Sequence, residues 1–155
     1  MIMGNPVFET IDILIVEDNP GDARLIKEVL NHNKVYSSLY VVNDGVEAMD
    51  FLHNEGRFGS FPKPDLIILD LNLPKKDGRE VLAEIKSDEE LKHIPVVIMT
   101  ISQAEEDILM TYKLHANCYI AKPIDLNEFI KVVKSIEDFW FSVVKLPPKS
   151  NLRIW

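Results

Sequence analysis

The sequence predicts an α/β fold in which five parallel strands form one doubly wound sheet, each strand followed by a helix. Three observations predict it. Five short apolar runs occur in order, at Ile11–Val16, Ser38–Val42, Leu66–Leu69, Ile94–Met99 and Cys118–Ala121. Each run is followed by a longer segment whose apolar residues recur at helical spacing, and strands alternating with helices build a parallel sheet covered on both faces. Leu66-Ile67-Ile68-Leu69 and Val96-Val97-Ile98-Met99 are apolar without alternation, which suits strands buried on both sides and places these two centrally.

The helices follow from their caps and stripes. Asn19-Pro20 opens the first, since Asn can cap and Pro suits the first turn, and Ile26, Val29 and Leu30 form its stripe. Asp44 caps a second helix that runs to about His53, and Asp77-Gly78 opens a third whose Val81, Leu82 and Ile85 face the core. Ser102 is expected to open the fourth, with Ile108, Leu109 and Tyr112 as its apolar side. Asp125 opens the fifth, where Leu126, Phe129, Ile130, Val133 and Ile136 keep a helical period. Gly56 to Pro64 carries two Gly and two Pro and reads as a loop. The result is a (βα)5 chain.

At 155 residues, 46% hydrophobic and 27% charged, the chain suits one domain with its own core. The expected division is an N-terminal extension over 1–10, the domain over 11–144 and a C-terminal tail over 145–155. Pro147-Pro148 stops regular structure, and the seven residues after them are too few for a DNA-binding output domain. A net charge of −8 argues against nucleic acid, whose phosphates are held mainly by Lys and Arg. Cys118 is the only cysteine, so no internal disulfide is possible, and it reads as a small core residue. Met1 to Thr10 has neither a basic start nor a long apolar run, and nowhere do 18 apolar residues stand together, so no membrane association is expected and the cytoplasm is the expected compartment. His32, His53, His93 and His115 lack metal-ligand spacing.

In a parallel α/β sheet, ligands bind beyond the carboxyl ends of the strands. There the first strand ends in Glu17-Asp18, the third in Asp70, the fourth in Thr100 and the fifth in Lys122-Pro123. Three converging carboxylates repel unless a cation neutralises them, and a hard oxygen-ligated ion, Mg²⁺ or Mn²⁺, is the natural choice. Asp70 is then a candidate carboxylate nucleophile toward phosphorus. A transferring phosphoryl group needs its oxygens neutralised from several sides, which Lys122 can do by charge and Thr100 by a hydrogen bond.

The ordered set Leu14-Ile15-Val16-Glu17-Asp18, Asp70-Leu71-Asn72-Leu73-Pro74, Asp77-Gly78, Val96-Val97-Ile98-Met99-Thr100 and Lys122-Pro123 resembles the CheY-like receiver domains of two-component response regulators, over about residues 11 to 140. The resemblance implies a flavodoxin-like fold with Asp70 as phosphoacceptor. It also implies Asp18, Asp70 and the Asn72 carbonyl as metal ligands, with Glu17 acting through water. It further implies a cis Lys122–Pro123 peptide and a switch in which Thr100 moves toward the phosphoryl and Tyr119 turns inward, remodelling the face of the fourth helix, fifth strand and fifth helix. The implied partners are a sensor histidine kinase and a downstream protein target. Gly56 to Pro64, Asp77 to Lys86 and Ser135 to Trp140 resemble, more closely, the stand-alone receivers that partner phytochrome-type kinases. Catalysis is expected only on the chain itself, as self-phosphorylation and auto-dephosphorylation.

Other readings exist. The same fold can serve as an interaction module that is never phosphorylated. A Mg²⁺-dependent aspartyl phosphohydrolase would carry a second Asp two residues after the nucleophile, where Asn72 stands, and a cap insertion that this chain lacks. A flavodoxin-like electron carrier would need a Ser/Thr phosphate loop where Asp18-Asn19-Pro20-Gly21 is acidic. Val132, Ile136, Phe139 and Val143, with Trp140 beside them, form a stripe with two readings: a helix running deeper into the core, or a homodimer through the fifth helix.

Overall fold

Alternation within the strands decides the layering. In the computed structural model, which describes residues 10–31 and 37–149, five parallel strands form one sheet in the order β2-β1-β3-β4-β5. They are β1 (Ile11–Val16), β2 (Ser37–Val42), β3 (Leu66–Leu69), β4 (Val96–Thr100) and β5 (Cys118–Ala121). Ile13 and Ile15 of β1, with Ile68, Val97 and Met99, enter a core closed by Ile26 and Leu30 of α1 (Pro20–Asn31) and by Phe129, Val133 and Ile136 of α5 (Leu126–Glu137). Leu14 and Val16, with Ile67, Leu69 and Ile98, enter the opposite core under α2 (Gly45–Leu52) and α3 (Gly78–Ser87). β3 and β4 are buried at every position, as their unbroken apolar runs predict, whereas β2 and β5 at the sheet edges are mostly half-buried.

Four helices begin as their sequences predict. Asn19 Oδ1 accepts from Asp22 N at 3.0 Å at the start of α1, and the Asp44, Asp77 and Asp125 side chains accept from Glu47, Arg79 and Glu128 N to cap α2, α3 and α5. The fourth does not. α4 spans Glu105–Lys113 rather than opening at Ser102, and its first turn has no side-chain cap. Ser102 gives its hydroxyl to Asp107 Oδ2 at 2.6 Å, so it is held by the helix rather than within it. The expected apolar side is corrected as well: Leu109 is 56% and Tyr112 47% exposed, and Thr111 is the buried residue. Leu126, in the first turn of α5, is likewise exposed. β4 starts two residues later than expected, since Ile94 N closes a turn onto Leu91 O and Pro95 has no N–H to give a ladder.

The Gly56–Pro64 loop contains one 3-10 turn, Gly56–Phe58, and folds against the domain. Phe58 and Phe61 join Tyr40 and Phe51 in a cluster with ring centroids 5.4–5.8 Å apart. Asn54 Nδ2 donates to Phe58 and Phe61 O, and Lys63 Nζ to Leu52 O, which satisfies carbonyls the turn leaves free.

After α5 the chain continues as a π-helical segment, Asp138–Val143. Ile136 and Trp140 are buried in this chain's own core at 3% and 9% exposure, and Val132 packs on that core. Ile136 and Trp140 are therefore corrected from self-association candidates to core residues, Val132 is half-buried, and Phe139 and Val143 stand out at 50% and 70%. Among the described tail residues, Lys149 Nζ pairs with Asp12 Oδ2 at 3.1 Å and Asp65 Oδ2 at 3.0 Å, pinning the chain to the end of the sheet where β1 and β3 begin. Most of the expected extension (1–9) and the last residues of the tail (150–155) lie outside the described residues. No helix among the described residues is long and apolar enough to cross a membrane.

Candidate functional site

The sheet's hydrogen bonding runs one residue past the strands and thereby sets the polar side chains in register. Glu17 N donates to Val42 O at 3.0 Å, Asp70 N to Val16 O at 3.1 Å and Lys122 N to Thr100 O at 2.7 Å. Glu17, Asp70, Thr100 and Lys122 are thus held by backbone at the carboxyl edge, each less than 7% exposed. Asp18 stands at the rim and is exposed.

The sequence-predicted residues come together there. Lys122 Nζ lies 2.6 Å from Glu17 Oε1, 2.9 Å from Asp70 Oδ2 and 2.9 Å from Asp22 Oδ2. Asp22 is missing from the sequence-predicted set. As an acid in the first turn of α1 it looks like an ordinary helix N-terminal charge, and its partner is 100 residues away. The Lys122–Pro123 peptide, expected to be cis, is trans, the form that X–Pro bonds favour by about 0.5–1 kcal/mol. From it the ammonium already reaches three carboxylates.

One cation among buried acids divides the carboxylates unequally. Burial pushes Glu17 up to about 7, with the Asp70 charge adding to the rise and the Lys122 hydrogen bond opposing it. Burial also pushes Asp70 up, but the Lys122 hydrogen bond, the nearby Thr100 hydroxyl, the Lys122 charge and the Asn72 amide together outweigh it and hold the carboxyl below its usual range. Burial alone would lower Lys122, and its bonds to Glu17, Asp22 and Asp70 raise it instead, so it stays charged. Asp70 is accordingly the ionised acid of the buried pair, as a nucleophile must be.

Glu17, Asp18 and Asp70 can each offer a carboxylate oxygen, and these oxygens lie within 4.8 Å of one another. An all-oxygen donor set fits a hard divalent cation, and two buried acids beside an exposed one are a group that such a cation would relieve of repulsion.

The loop after β3 wraps this edge closely. Asn72 N donates to Asp70 Oδ1 at 3.1 Å and Gly78 N to Leu71 O at 2.9 Å. A Cβ on Gly78 would meet the Asp70 carbonyl at 2.3 Å, so only glycine lets α3 start against the Asp70 backbone. Thr100 Oγ1 is buried near enough to Asp70 to favour its ionised form, yet meets no partner at hydrogen-bond geometry. Tyr119 is half-buried beneath the β4–α4 loop, its hydroxyl donating to Ser102 O at 2.9 Å.

The arrangement resembles that of known proteins. Residues 13–134 match the family described as the response regulator receiver domain. Response regulator Rcp1 of Synechocystis sp. is 50% identical over 135 residues, which cover 87% of this chain and 92% of that protein. The crystal structure of the phosphorylated cyanobacterial phytochrome response regulator RcpA superposes with a TM-score of 0.88 at 52% identity, covering 90% of this chain and 100% of that one. The Mn²⁺-bound form of response regulator Rcp1 gives a TM-score of 0.87 at 49% identity, covering 89% and 99%. With the match spanning most of the sheet and all the pocket positions, the chain belongs to the response regulator receiver domain family.

Proposed function

We propose that this receiver takes a phosphoryl group from a phosphohistidine of a phytochrome-class sensor kinase onto Asp70 and signals by conformational change, as a cytoplasmic protein. The observation that carries the reading is the Lys122 ammonium, 2.9 Å from Asp70 Oδ2, beside an acid cluster at the carboxyl edge of the sheet. An Asp70 carboxylate oxygen forms the new bond to phosphorus as the bond to the histidine nitrogen breaks, and that nitrogen keeps the electron pair. Lys122 neutralises charge on the phosphoryl oxygens, and the unpartnered Thr100 hydroxyl supplies a hydrogen bond. Asp18 and Asp70, with the Asn72 carbonyl and Glu17 through water, would hold Mg²⁺ or Mn²⁺. When bound, that cation shields the carboxylates from one another and the phosphoryl charge from them. Turnover is confined to the chain's own phosphoaspartate.

Support for the kinase class comes from solved structures similar to this chain, among them one described as a cyanobacterial phytochrome response regulator and one as a bacteriophytochrome response regulator. Incubation with a phosphorylated phytochrome-class histidine kinase is expected to move the label to the wild-type chain and leave Asp70→Asn unlabelled. Equal transfer from an unrelated histidine kinase would remove the phytochrome assignment, and transfer from none would remove the receiver chemistry.

The output surface is the α4–β5–α5 side, where Leu109, Met110 and Tyr112 of α4 are exposed. There the downstream protein binds, whereas a second copy would associate through Phe139 and Val143, exposed in the segment that continues α5. Sedimentation that gives only monomer at tens of micromolar, with and without a phosphoryl mimic, removes the homodimer.

A further inference from the structure

Helix α4 has little apolar anchorage: Thr111 is its only fully buried residue, and Leu109, Met110 and Tyr112 face outward. A helix so placed needs something else to fix its position. At its first turn, Asp107 is gripped from two sides. Arg79, the second residue of α3, brings Nε to 3.1 Å and Nη2 to 2.8 Å from Asp107 Oδ1, while Ser102 Oγ donates to Asp107 Oδ2 at 2.6 Å. Arg79 is itself oriented by Asp77, whose carboxylate accepts from Nη1 at 3.0 Å and from the Arg79 amide at 2.9 Å. Ser102 in turn offers its carbonyl to the Tyr119 hydroxyl. One polar chain, Asp77–Arg79–Asp107–Ser102–Tyr119, thus ties the loop that follows Asp70 to the loop that follows Thr100 and ends on the aromatic ring beneath it.

We propose that Arg79 and Asp107 are positioning residues that latch α4 and the β4–α4 loop in the arrangement in which the Tyr119 ring lies beneath that loop. The inference rests on the reading of Asp70 as phosphoacceptor and adds to it a determinant outside the pocket. The latch spans the two segments that flank Asp70, and Arg79 and Asp107 are only 26% and 18% exposed, so the pair is less screened than an ordinary surface ion pair. Ser102 explains why a backbone carbonyl two residues beyond Thr100 can be fixed without a capped helix: its side chain is anchored by Asp107, and Ala104 N donates to it at 3.3 Å. If the phosphoryl group favours the arrangement with Tyr119 inward, the latch favours phosphoryl binding by mass action.

The test compares wild type, Arg79→Ala, Arg79→Lys, Asp107→Asn, Tyr119→Phe and Arg79→Ala/Tyr119→Phe in two measurements. Beryllofluoride affinity in the presence of Mg²⁺ is expected to fall roughly three- to tenfold in Arg79→Ala and Asp107→Asn, the size of one partly buried charge-assisted contact. It is expected to recover in part with Lys and to fall no further in the double variant than in its weaker single. Hydrogen exchange of amides 105–113 without beryllofluoride is expected to quicken in Arg79→Ala and Asp107→Asn while amides 96–100 stay protected. Unchanged exchange at 105–113 overturns the latch even if the wild type binds no beryllofluoride, an outcome that would separately overturn the receiver chemistry. Wild-type binding with unchanged affinity in Arg79→Ala, or losses that add in the double variant, also overturns it.

Discussion

Helices α3 and α4 flank the same pocket and are held by opposite means. α3 buries Val81, Leu82 and Ile85 completely, is capped by Asp77 and starts against the Asp70 carbonyl at Gly78. α4 buries only Thr111, starts without a side-chain cap, and is held by polar contacts, at Asp107 and at the Tyr112 hydroxyl, which accepts from Tyr119 N at 3.2 Å. The contrast separates two duties. Packing cannot be altered by a few ångströms without loss, so the helix behind the phosphoacceptor loop is rigid. A helix held by polar contacts can exchange them at little cost, which suits the element that reports the reaction.

The contrast can be broken or sharpened at single residues. Leu82→Ala carries the largest expected effect, about 2–5 kcal/mol of lost stability from an unfilled core site, read from the urea midpoint. Gly78→Ala follows at about 1–3 kcal/mol, because the added carbon meets backbone at 2.3 Å from Asp70 O and 2.5 Å from Leu71 Cα. Leu109→Ala on α4 is expected to change stability by no more than about 0.5 kcal/mol, since the residue is already more than half exposed. A loss near that of Leu82 would erase the distinction between the helices.

The smallest effect is in pH. The Ser102 hydrogen bond, and then the Arg79 ion pair, hold the Asp107 carboxyl below its usual range. A carboxyl with a lowered folded-state pKa contributes stability fully above its unfolded value, ~3.9, and loses it as pH falls through the folded value. The urea midpoint of wild type should therefore exceed that of Asp107→Asn near about pH 6 and converge on it below about pH 3. A difference that grows on acidification contradicts the assignment.

How much of this could be read from sequence follows from the range of the interactions. The strands and the residues that end them are local patterns: an apolar run stops, and Glu17, Asp70, Thr100 and Lys122 come next. Caps at Asp44, Asp77 and Asp125 are local too. The helical period of α4 is equally local, but it cannot reveal that its apolar residues face outward, because that depends on how little sheet lies beneath α4 at the β5 edge. Asp22 and the Arg79–Asp107 pair escape for a different reason. Their partners lie 100 and 28 residues away, and no short-range pattern marks an acid as the one that a distant cation will choose. In α5, Ile136 and Trp140 satisfy a helical period equally well as core or as interface, and only the α1–α5 packing decides for the core.

The account stands most directly on Asp70 as the acceptor, and intact mass after incubation with acetyl phosphate, with and without Mg²⁺, measures it. The wild type is expected to gain the mass of one phosphoryl group only when Mg²⁺ is present, and Asp70→Asn to gain none. An adduct of equal size on Asp70→Asn, or no adduct on the wild type with Mg²⁺ present, would contradict it.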